Sequence, residues 1–121
     1  MYEALISKFD SRDYKIKSSI ENFPKTFKLT NLPRVKNQRN VSSCVAHVIA
    51  EIAEYFYQKE YNQELSMSTD YIYGNQYNLT GRTDRGMYLR DACKIFQQYG
   101  DCKWTDLPTN TEMPYCIDKI K

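Results

Sequence analysis

Gln38, Cys44 and His47 are the residues whose types and spacing can do chemistry. Cys44 heads a segment in which Val45, Val48, Ile49, Ile52, Ala53 and Phe56 recur at the spacing of one helical face, which predicts a helix to about Tyr61 with that face buried. Ser42 or Ser43 can supply the N-cap oxygen. A thiol in the first turn of a helix meets unpaired N–H groups and the positive end of the macrodipole, and both favour the nucleophilic thiolate. Gln38, just upstream, can aim a side-chain N–H at the same spot. Such a nucleophile also needs a base and a residue that orients the base. His47 is the one histidine of the chain, three residues after Cys44, where helical geometry sets Cβ atoms about 5–6 Å apart. Glu51 stands one turn further on. A buried or interface histidine with one hydrogen-bond partner is the preferred reading of His47 over a Cys–His dyad.

The elements that must position these residues read as follows. Ala4, Leu5, Ile6 and Phe9 suggest a short helical stretch, and residues 10–14 (Asp-Ser-Arg-Asp-Tyr) a turn. Pro24 and Pro33 keep the following arm extended, since a residue before proline is pushed out of the helical region. Phe27 and Leu29 alternate with Lys28, so the arm is expected to lie along the body with one side buried. Asn62-Gln63 ends the Cys44 helix. Ser66 or Ser68 caps a second, shorter helix carrying Tyr71, Ile72 and Tyr73, punctuated by Gly74 and Asn75. After a loop over residues 78–86, Tyr88, Ala92, Ile95, Phe96 and Tyr99 give a third helix, closed by Gly100.

Val35-Lys36-Asn37-Gln38, a turn, and then Ser43-Cys44-Val45-Ala46 at the head of the long helix resemble the nucleophile region of the papain-like cysteine peptidases. The resemblance covers about residues 23–108, the helical lobe alone, in the manner of a truncated bacterial or phage-type relative. It implies that Cys44 holds the nucleophile position, Gln38 the oxyanion-hole donor position and Gly86 the cleft-lining glycine position, with Met87 and Tyr88 beside the adjoining substrate pocket. Core packing is the competing reading for these last two. Val45 stands where the family has tryptophan. The family's bridging cysteines correspond to Val41 and Thr83, which have both lost sulfur. Its histidine and asparagine belong to a β-rich lobe that has no counterpart before Lys121, so His47 is the only substitute base.

Composition sets the outer limits. A chain of 121 residues is expected to form one compact domain, with an arm over 1–33 and the lobe over 34–121. The fold class expected is mainly α, with an irregular extended arm and no β lobe. No apolar run reaches membrane length, and no apolar stretch marks a secretory signal, so a cytoplasmic location is expected. Cys44, Cys93, Cys102 and Cys116 have neither paired-CxxC spacing nor the density of a disulfide framework, and read as reduced thiols. One histidine with scattered cysteines does not present a zinc site, and residues 81–86 lack the Lys-Ser/Thr of a phosphate loop. Residues 1–40 carry nine Lys/Arg against four Asp/Glu, and the rest eight against eleven. A net charge of +2 with tyrosines at core spacing argues against nucleic-acid binding. No cofactor is expected. The functional expectation is a catalytically incomplete half-domain that binds a protein, or itself, over the Cys44/Gly86 face. Such a pseudoenzyme or inhibitor could be carried by a phage or mobile element against bacterial defence, as an anti-CRISPR is. The alternative is a cysteine peptidase completed by a second chain or lobe supplying His and Asn.

Overall fold

The computed structural model describes residues 4–15, 23–38, 42–81 and 86–108. Among these the chain is mainly α: β1 (Ala4–Leu5), α1 (Cys44–Tyr61), α2 (Thr69–Thr80), β2 (Met87–Tyr88) and α3 (Leu89–Tyr99) follow in order. The three helices pack on one another around Val45, Ala46, Ala50, Ile72, Tyr73, Met87, Ala92 and Ile95. Alanines at 46, 50 and 92 let the helix backbones approach closely.

α1 ends where local chemistry says it must. Asn62 adopts the left-handed conformation at φ 53° and its N–H donates back to the Gln58 carbonyl at 2.8 Å. Its N-terminus differs from expectation. Ser43 is the N-cap residue, yet its hydroxyl makes no cap bond to the helix. The covered face of α1 also differs, because Val45, Ala46, Ala50 and Glu54 are buried while Val48, Ile52 and Phe56 are 47%, 48% and 58% exposed. α1 carries apolar residues on two faces, and α2 and α3 cover only the one lined with alanines.

α2 corrects the expected break at Gly74 and Asn75. Ser68 caps it, its hydroxyl accepting from the Tyr71 N–H at 3.1 Å and donating to the Leu107 carbonyl at 2.8 Å. The helix then runs through both punctuating residues to Thr80. A mid-helix glycine costs about 1 kcal/mol against alanine. Here Gly74 is buried within the helix. Asn75 turns its amide onto the helix itself, donating to the Tyr71 carbonyl at 2.9 Å and accepting from Asn78 at 3.0 Å.

The N-terminal stretch is a strand rather than a helix. Ala4 pairs with Met87 and Leu5 with Tyr88, in parallel. Residues 10–13 form the expected turn, the Asp13 N–H donating to the Asp10 carbonyl at 3.0 Å. Arg90 of α3 then clasps it, reaching Asp10 at 3.1 Å, Asp13 at 2.6 Å and the Lys8 carbonyl at 3.4 Å. Hydrogen bonds from the Arg12 side chain hold the Asp10 carboxyl far below the usual carboxylate range. Residues 23–30 do not bury one side as the alternation suggested; Phe27 is 79% exposed. The arm touches the body further on, through Lys36.

Candidate functional site

Cys44 is the first residue of α1, half-buried against the core cluster and not in a disulfide. Cys93 and Cys102 are free thiols as well, while Val41, Thr83 and Cys116 lie outside the described residues. Gln38 is half-buried, six residues before Cys44 in sequence.

The segment bearing Gln38 is fixed to α1 by a buried ion pair. The Lys36 ammonium lies 2.5 Å from each carboxylate oxygen of Glu54, and one of those oxygens also accepts the Met67 N–H at 2.6 Å. With Glu54 2% exposed and Lys36 16%, the pair is out of water. One carboxylate therefore gathers the arm, α1 and the entry to α2. Lys36 belongs to the stretch singled out in the sequence, whereas Glu54 does not. Its signal was there: Glu54 follows Ala46 and Ala50 at four-residue spacing, so an acid sits in a stripe of small buried residues and requires a cation.

His47 is tied through its ring to Ser43, the residue before Cys44. Its Nδ1 lies 2.9 Å from the Ser43 carbonyl and 3.3 Å from the Ser43 hydroxyl. A carbonyl only accepts, so Nδ1 is the donor in that bond. His47 lines a pocket of about 450 Å³ with Arg34, Lys36, Asn37, Ser66 and Trp104. Glu51 makes no hydrogen bond to the imidazole.

Gly86 is buried at φ 85°, a left-handed conformation that glycine adopts at no steric cost, and its carbonyl accepts the Gln76 amide at 3.0 Å. Met87 is wholly buried in the core, so its side chain presents nothing to a ligand. Tyr88 is half-buried and lines a second pocket, of about 390 Å³, with Ser7, Phe9, Asp10, Arg90 and Asp91. The backbone of Met87 and Tyr88 is already paired with β1. Cys44 and Met87 belong to the same packed cluster, which brings the thiol and the β2 segment to one body.

A third concavity, of about 430 Å³, is apolar. It runs between α1 and α3 and is lined by Ile49, Ile52, Phe56, Tyr57, Met67 and Phe96. Among the described residues no three His, Cys, Asp or Glu side chains converge as a metal site, and no helix is long and apolar enough to cross a membrane. Comparison with family models, curated proteins and solved structures returns no match to this chain.

Proposed function

We propose that this chain is a papain-like helical half-domain that works by binding a protein, and that its contact face is the open side of α1. The observation that carries this reading is the stripe Val48, Ile52 and Phe56, three large apolar side chains at four-residue spacing, each about half exposed beside the apolar groove. Contiguous apolar surface of this kind marks interaction sites in folded proteins. It lies further along α1 than the Cys44/Gly86 face that the sequence suggested, because Gly86 and Met87 are buried. Nothing in this sequence matches the family's histidine and asparagine, and the Nδ1 of His47 is held by Ser43. Sedimentation and affinity capture test the reading together. A self-associated or captured species should persist in Cys44→Ala and be lost from the Val48→Lys/Ile52→Lys/Phe56→Lys variant. Retention by the triple variant would sink the proposal.

A second reading has an observation of its own. Cys44 opens an 18-residue helix, and Lys36–Glu54 holds the segment bearing Gln38 on that same helix, so nucleophile and amide donor share one frame. A lobe or chain supplying histidine and asparagine would complete a thiol peptidase. Base catalysis typically contributes about 10²–10⁴-fold, so the chain alone should leave an unstructured protein substrate uncut. Cleavage by the purified chain that vanishes in Cys44→Ala would favour this second reading over the first.

A further inference from the structure

Gly100, at φ 70°, ends α3 and turns the chain back, and Asp101 follows it. Residues 102–104 then lie antiparallel to 66–68: the Ser68 N–H donates to the Cys102 carbonyl at 2.9 Å, and the Trp104 N–H to the Ser66 carbonyl at 2.8 Å. The far end of this segment is fastened by buried Leu107, whose carbonyl accepts the Ser68 hydroxyl.

Two acids share this region with one ammonium. Glu54 already takes Lys36 and the Met67 N–H. Asp101 has Oδ1 on the Cys102 N–H at 2.8 Å, while its Oδ2 is buried without a hydrogen-bond partner. An ionised oxygen without a donor is costly out of water, whereas the protonated carboxyl becomes a donor itself. The charged groups that act on Asp101 are Glu54 from α1 and Lys36 from the arm, with the Cys102 thiol beside it and Asp106 further along its own segment. Their sum favours the proton. Burial pushes the Asp101 carboxyl up to about 7, Glu54 adding to the effect while the Cys102 N–H and Lys36 oppose it. Burial also raises the Cys102 thiol, with Asp101 adding to it.

We propose that Asp101 is a proton-operated latch: protonated, it lets residues 101–107 lie against 66–68, and ionised, it leaves a buried charge at Oδ2 with no donor and loosens that segment, opening the pocket walled by Trp104 and His47. The segment carries its own reporter. Trp104 is the only tryptophan of the chain, three residues from Asp101. Its emission, followed from about pH 5 to 9 beside helical circular dichroism, should shift to the red with one midpoint near neutrality while the helical signal stays constant. Asp101→Asn should remain at the blue end throughout. His47→Gln and Cys102→Ser should keep the transition, since neither supplies the titrating proton. Persistence of the shift in Asp101→Asn, its loss in His47→Gln or Cys102→Ser, a flat wild-type trace, or a parallel loss of helix would each overturn the latch.

Discussion

Replacing Glu54 by alanine should cost about 3–5 kcal/mol in equilibrium unfolding, because it leaves the Lys36 ammonium buried without its counter-charge and the Met67 N–H without an acceptor. For a domain whose whole stability is typically about 5–15 kcal/mol, that is a large share. Lys36→Met should be costly too, since it strands the carboxylate. The informative variant is the double one. Lys36→Met with Glu54→Gln removes both charges and keeps an acceptor for Met67, so it should recover much of the loss. Urea titration of the four proteins closes the cycle, and near-additive single losses would mean that the pair is not coupled as its geometry requires.

The second large effect is a dependence of stability on pH that runs opposite to ordinary acid denaturation. Asp101 sits near 3.8 in an unfolded chain and at about 7 in the fold. Between those values the folded state holds more protons than the unfolded one, so the contribution of this group falls as pH rises and is fully lost above about 7. At about 1.4 kcal/mol per unit, the ionised carboxylate costs the fold on the order of 2–4 kcal/mol at mildly alkaline pH. Asp101→Asn should therefore be more stable than wild type by that order at pH 8 and indistinguishable from it near pH 4. Thermal or urea unfolding at the two pH values measures the difference, and equal gains at both would remove the proton from the explanation.

These two carboxylates show where the sequence was legible and where it was not. The start of α1 at Cys44, its end at Asn62, the Ser68 cap and the Gly100 stop all rest on chemistry within a few residues, and all were readable in the chain. The burial of α1 was not. Val48, Ile52 and Phe56 have the same periodicity as a core face, and only the placement of α2 and α3 decides that Ala46, Ala50 and Glu54 are covered instead. α2 misled for the opposite reason: Gly74 and Asn75 look like breakers, yet the helix buries Gly74 and Tyr71 offers Asn75 a carbonyl. Glu54 had a signal in its spacing. Asp101 had none, since its character comes first from burial in the folded chain, with Glu54, 47 positions earlier, adding to it. At the candidate site the positions of Cys44 and Gln38 could be read locally, whereas the engagement of His47 by Ser43 required coordinates.

The pairing of Ala4 and Leu5 with Met87 and Tyr88 has a kinetic meaning. Two residue pairs close a loop of about 80 residues, and the closure entropy of such a loop is roughly 4 kcal/mol. So short a ladder cannot repay that cost in an open chain. It forms only after α1, α2 and α3 have packed and brought the β2 edge into place, so it belongs to the last step of folding. By reversal it is the first contact to part, and the N-terminal segment should exchange its amide hydrogens through local opening long before the helices do. Ala4 and Leu5 therefore wait for partners that lie more than 80 residues further along the chain.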